Sequence, residues 1–229
     1  MTSGSPDWAG LRWKVEVVQR PNLMYPSGKI ILYDDFETAT STWGLIAAGG
    51  GTAELSTAAA YSGQGSVHLI PSNNGTSYAS MGRDGGMPLS NKVGIQFAWC
   101  SDTDQLSLMR VIVTGWTIVY HWVGEVRYDH VNGKWQYYDS SGSWEDVPNG
   151  TQAQTAAGTT WHMMKLIVDY STGKYVRLYS DADSWDLSDI SMRDIGATTA
   201  KEITAAIGFL SVGTPSPVIY VDDVAITEE

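Results

Sequence analysis

Cleavage of a glycosidic bond by a retaining mechanism requires two carboxylates about 5 Å apart. No E-x-D-x-E or E-x-D-x-x-E pattern occurs in this chain. Between Lys92 and Val131 the acids are Asp102, Asp104, Glu125 and Asp129, at spacings that do not fit such a pair. A nucleophile elbow, a zinc motif, a phosphate loop and a dinucleotide fingerprint are also missing. His68, His121, His130 and His162 have no partner two or four residues away, so each reads as a strand-surface or core histidine. The Asp181, Asp183, Asp186 and Asp189 series matches a calcium loop by acid count alone and lacks its sixth-position glycine and distal glutamate. The expectation is a chain that is not an enzyme. What remains is a band of rings: Trp116, Tyr120, Trp122, Tyr128, Trp135, Tyr137, Tyr138 and Trp144. Flat rings on neighbouring strands can stack on sugar rings while polar edges bind hydroxyls. Trp116, Tyr120 and Trp122 share parity, so Trp116, Tyr120, Trp122 and Trp135 are the candidate glycan contacts. The competing reading places the same rings in a core or under another subunit.

The elements that would carry these rings are strands. In Trp161–Ser180, Met164, Leu166 and Val168 alternate with Met163, Lys165, Ile167 and Asp169, and Tyr175, Arg177 and Tyr179 alternate with Val176 and Leu178. Period two on both sides of Ser171-Thr172-Gly173 predicts a hairpin closed by a glycine turn. Similar patterns predict strands over 29–33, 92–100, 106–113, 116–122, 125–131, 134–138, 143–147, 203–212 and 217–226. Gly49-Gly50-Gly51 and the small-residue tract Thr52–Ala60 read as a surface crossing, and 181–200 as irregular, with a short helical turn near 187–195. Leu11, Trp13, Val15 and Val17 alternate with Arg12, Lys14 and Glu16, and Pro21 and Pro26 separate them from the strand over 29–33. Residues 1–28 therefore read as an extended N-terminal arm whose apolar face needs burial, expected between subunits, with the chain's own sheet edge as the competing place.

The chain has 229 residues, suited to one all-β domain, and its net charge of −11 repels nucleic acid and anionic membranes. Cys100 is the single cysteine, so no internal disulfide staples the fold. No apolar run is long enough to span a membrane, and the first residues lack the order of a secretory signal, so synthesis in the cytosol is expected.

Four stretches carry a resemblance. They are Asp34-Asp35-Phe36-Glu37, the Tyr61–Ile70 segment YSGQGSVHLI, the Trp161–Ser180 hairpin, and the ending YVDDVAI of Tyr220–Ile226. Together they resemble concanavalin A-like jelly rolls, including laminin-G-like and carbohydrate-binding domains. The resemblance implies an all-β, two-sheet antiparallel jelly-roll sandwich over 29–229 with its first and last strands adjacent. It further implies a structural calcium at Asp34, Asp35, Glu37, Asp222 and Asp223, the one cofactor expected. Such a sandwich, without catalytic pairs and with an arm for clasping, fits a structural subunit of a phage virion: capsid decoration, fibre or tail. Its partners would be copies of itself or other virion subunits. The alternative is a carbohydrate-binding module or lectin whose partners are glycans.

Overall fold

The structure is a computed structural model that describes residues 28–38, 40–72, 77–85, 90–102, 107–116, 121–130, 132–152, 160–196, 203–211 and 217–229. The arm residues Leu11, Trp13, Val15 and Val17 lie outside the described residues. Every named element is a strand. In chain order they are β1 (Lys29–Asp34), β2 (Gly44–Ala48), β3 (Thr52–Ser56), β4 (Ser66–Ile70), β5 (Tyr78–Gly85), β6 (Lys92–Ser101), β7 (Ser107–Trp116) and β8 (His121–Asp129). They continue as β9 (Lys134–Tyr138), β10 (Trp144–Thr151), β11 (His162–Asp169), β12 (Lys174–Ser180), β13 (Asp183–Asp186), β14 (Arg193–Asp194), β15 (Ile203–Ser211) and β16 (Ile219–Glu228). No helical turn forms near 187–195. Those residues instead place a bridge at Ser191 and the short β14, which pairs with the start of β8.

Two antiparallel eight-stranded sheets make the sandwich. The first runs β13-β12-β11-β6-β16-β4-β3, with β1 beside the second half of β16; the second runs β10-β9-β8-β7-β15-β5-β2, with β14 on β8. The first and last strands are adjacent, as the resemblance implies, with Lys29 opposite Glu228 and Asp34 opposite Val224. Inward residues of both sheets form one continuous core, including Phe97, Trp99, Leu166 and Val221 from the first sheet and Val111, Val126, Trp135 and Phe209 from the second. The Gly49–Gly51 turn is a crossing between sheets, since β2 belongs to the second and β3 to the first. Among the described residues no helix is long and apolar enough to cross a membrane.

Register shifts interrupt four strand pairings, and two of them bear on the site and the core. In the Trp161–Ser180 hairpin the register shifts between Ile167 and Val168, so Val168 faces Tyr175 while Leu166 faces Leu178. Tyr175 and Leu178 therefore both enter the core, because the extra residue inverts facing beyond it. In β16 the shift falls between Asp222 and Ala225, with Asp223 at φ 49°. There the outer partner of β16 changes from β4 to β1.

Candidate functional site

The outer face of the second sheet gathers the polar chemistry. On β7, Met109, Val111 and Val113 point into the core, which turns Arg110, Ile112 and Thr114 outward. On β8, Val126 and Tyr128 are inward, so Glu125 and Arg127 share that outer face. Register sets Arg110 opposite Arg127, and Arg127 opposite Gln136 on β9. Arg110 forms an ion pair with Glu125, whose carboxylate is almost wholly buried beneath a guanidinium side chain that is 39% exposed. The Arg127 Nε–H donates to Gln136 Oε1 at 2.8 Å, and its guanidinium carbon lies 4.1 Å from the centre of the Trp144 ring. Arg110 is 5.9 Å from the same ring. Such cation–π contacts contribute about 0.5–2 kcal/mol and hold the guanidinium plane in place. Trp144 is tilted against Tyr138 with 5.0 Å between centroids, and Arg193 lies 5.6 Å from the Tyr138 ring. Asp146 accepts from Lys134 and Gln136 and so closes the outer edge of the cluster.

Beside Arg110 a groove of about 240 Å³ opens across β7, β15 and β5, with Ser80, Ile112, Ala206 and Gly208 as its lining and Tyr78 at its rim. Small residues at Ser80, Ala206 and Gly208 leave the space that larger side chains would fill. Burial lowers the pKa of both arginines, and at Arg110 the neighbouring Arg127 charge lowers it further. Both guanidinium groups stay charged in this range.

Support comes from beneath. Paired residues of β8 and β9 end at Val126 and Tyr137. At the next position the Tyr175 hydroxyl, arriving from the opposite sheet, accepts from the Glu125 N–H at 2.8 Å and donates to the Tyr138 carbonyl at 2.7 Å. The hairpin thus braces, through the core, the backbone from which Glu125 and Tyr138 project.

The sequence-predicted contacts are scattered. Trp135 is fully buried in the core, its indole N–H donating to Gln152 Oε1 at 3.1 Å, so it offers no ring to a ligand. Trp122 packs against the core and over Gly173. Tyr120 and the Trp116 side chain lie outside the described residues. Of the wider band, Tyr138 and Trp144 do reach the outer face. Arg110, Glu125 and Arg127 were missed; their alternation with Val111 and Val126 was readable, but the register joining them was not.

Three of the chain-end acids, Glu37, Asp222 and Asp223, converge on the 61–65 loop. Asp222 Oδ2 accepts from the backbone N–H groups of Tyr61 and Ser62 at 2.8 and 3.0 Å, and Glu37 Oε1 from those of Gln64 and Gly65 at 2.7 and 2.9 Å. Asp223 Oδ1 accepts from the hydroxyls of Tyr33 and Ser62. Asp34 accepts from the Phe36 N–H and the Thr42 hydroxyl, and Asp35 from the Glu37 N–H. The bonds to Glu37, Asp222 and Asp223 close the loop over the β16 bulge. Among the described residues no group of three or more His, Cys, Asp or Glu side chains is placed to hold a metal ion. The histidines are less separate than their spacing implies. His130 and His162 both pack on Trp99, His162 Nδ1 lies 2.7 Å from Asp181 Oδ2, and burial with the His162 charge pushes His130 down to about 4.

No family model and no curated protein matches this sequence. Solved structures do match its fold. An endo-β-1,4-glucuronan lyase from the fungus Trichoderma reesei aligns with TM-score 0.62 at 12% identity, over 88% of this chain and 96% of its own. A carbohydrate esterase from the Shiga toxin-encoding bacteriophage phi24B aligns with TM-score 0.56 at 14% identity, over 89% and 100%. An endo-1,3-β-glucanase from Streptomyces sioyaensis gives 0.54 at 15% identity, over 88% and 97%. These likenesses correct the expectation that the chain is not an enzyme: the same sandwich carries lyase, esterase and glucanase proteins, and that expectation rested on one sequence pattern for one mechanism. The fold itself is the concanavalin A-like jelly roll that the four sequence stretches resemble.

Proposed function

We propose that this chain is a carbohydrate-active protein that grips a glycan on the outer face of its second sheet. The observation that carries this reading is the pair of arginines held against the half-buried Trp144 beside an open groove. Aromatic rings supply apolar contact to sugar faces, and planar guanidinium groups donate to ring substituents. The three fold relatives act on carbohydrates according to their names, which makes lyase, esterase and glucanase assays the first to run. Screening the full chain on a glycan array, with Trp144→Ala in parallel, tests the reading. Binding that drops at least about ten-fold in the variant supports it. Equal binding by both proteins places the ligand elsewhere.

A second reading, a subunit on the surface of a phage particle, draws support from the fold shared with a bacteriophage protein. In it the 1–28 arm clasps a neighbouring copy, and glycan contact serves adsorption. Antibody labelling of source particles separates a particle subunit from a free protein.

A further inference from the structure

Resting on that glycan reading, we infer that the ligand is an acidic glycan, one whose sugar units carry carboxylates, with Arg127 as the residue that selects them.

The argument starts from charge. Arg110 and Arg127 stand directly opposite each other on β7 and β8, an arrangement that is unfavourable for like charges unless an anion lies between or beside them. Arg110 has the buried Glu125 carboxylate. Arg127 has no ion pair among the described residues, and its Nε is committed to the neutral Gln136. Asp129 favours the cation through its charge alone, and the nearby Asp146 is occupied by Lys134 and Gln136, at 2.6 and 2.8 Å. The terminal nitrogens of Arg127 therefore form a fork, held in plane by the Trp144 stack and presented without a bonded counter-charge. A planar carboxylate matches that fork with two parallel hydrogen bonds. On a chain of net charge −11, an arginine without an ion pair is a local exception to a field that repels anions. A neutral glycan would need neither the second arginine nor its ordering against an aromatic ring. The groove lined by Arg110, Ser80, Ala206 and Gly208 begins on the strand next to that of Arg127 and gives an adjacent sugar ring somewhere to lie.

The test uses the full chain and titration calorimetry with three probes: oligosaccharides of several uronic acids, their carboxyl-reduced neutral counterparts, and a sulfated oligosaccharide of similar length. The expected result is that a uronate oligomer binds at least about ten-fold tighter than its neutral counterpart, with added salt eroding the difference. Arg127→Gln should abolish that preference, so that uronate oligomers and their neutral counterparts bind alike. Arg127→Lys should recover only part of it, because an ammonium keeps charge without the fork. Equal affinity for charged and neutral oligomers overturns the inference and leaves the glycan reading standing. Sulfated oligomers binding as tightly as uronates overturn the carboxylate assignment. Absence of binding by every probe overturns the inference and, with a blank array, the glycan reading as well. Circular dichroism of each variant confirms that it is folded.

Discussion

At the scale of single residues, Tyr175 links the two sheets by chemistry as well as by packing. Its hydroxyl stands in for a missing ladder bond between β8 and β9, satisfying the Glu125 N–H and the Tyr138 carbonyl. Tyr175→Phe keeps the ring and strands both groups, each of which costs about 1–3 kcal/mol when buried unpaired. The variant is expected to lose about 2 kcal/mol in urea unfolding, because the two strands can recover part of the pairing by closing on each other. A loss below about 0.5 kcal/mol would mean that they close the gap fully. Asp222 ties stability to pH instead. Burial, reinforced by the charge of Asp223, raises it from 3.8 to about 7 even though the N–H groups of Tyr61, Ser62 and Asp223 favour its ionised form. The folded chain then holds a proton that the unfolded chain has released. This group's contribution is fully present in acid and is lost as pH rises from about 4 through about 7. Comparing denaturation midpoints at about pH 5 and about pH 8 should show a larger decline for the native chain than for Asp222→Asn. Equal declines would assign the pH dependence to other groups.

Among the elements, the β11–β12 hairpin shows what a turn must satisfy. Gly173 has φ 65°, and a Cβ there would lie 2.5 Å from the Trp122 ring. Gly142, in the β9–β10 turn, has φ 87° but a nearest contact of 3.5 Å, to the Tyr138 hydroxyl. Alanine at either site costs about 1–2 kcal/mol for the left-handed backbone, and only at Gly173 must an aromatic ring also move. Gly173→Ala should therefore melt below Gly142→Ala, and the reverse order would show that Trp122 shifts without cost. The same hairpin marks how far the sequence could be read. Alternation located β6, β9, β11 and β12 almost to the residue, since each has one apolar face turned to the core. It passed over β2 and β3, whose small, half-exposed residues alternate too weakly to stand out. The shared face expected for the glycan contacts was not legible for a related reason. Trp116, Tyr120 and Trp122 share parity only along one unbroken strand, but the chain reverses so that Trp116 pairs with His121, and Trp122 comes to rest opposite Gly115. Facing is set by register between strands, and a local pattern does not contain it. Arg110, Arg127 and Trp144 become one site only once β7 to β10 are aligned.

For the whole molecule, the last strand decides whether there is a first sheet. β16 pairs with β6 on one side and with β4 and then β1 on the other. Without it, β13-β12-β11-β6 and β4-β3 become separate pieces and β1 has no partner. Ile219, Val221, Val224 and Ile226 also leave the core. At roughly 1.5–3 kcal/mol for each buried side chain, that loss amounts to about 6–12 kcal/mol, the size of the entire stability of an ordinary domain. A chain ending at residue 218 is therefore expected to give no cooperative melting transition and to aggregate through the exposed edge of β6. The second sheet should not survive alone, because its inward face packs on the first. A synthetic peptide of residues 217–229 offers the complementary measurement. Added during refolding, it should restore the transition by strand addition, since the slot between β6 and β4 presents unpaired backbone groups on both sides. A truncated chain that melts cooperatively without the peptide would show that the second sheet and the remaining strands form a folding unit by themselves.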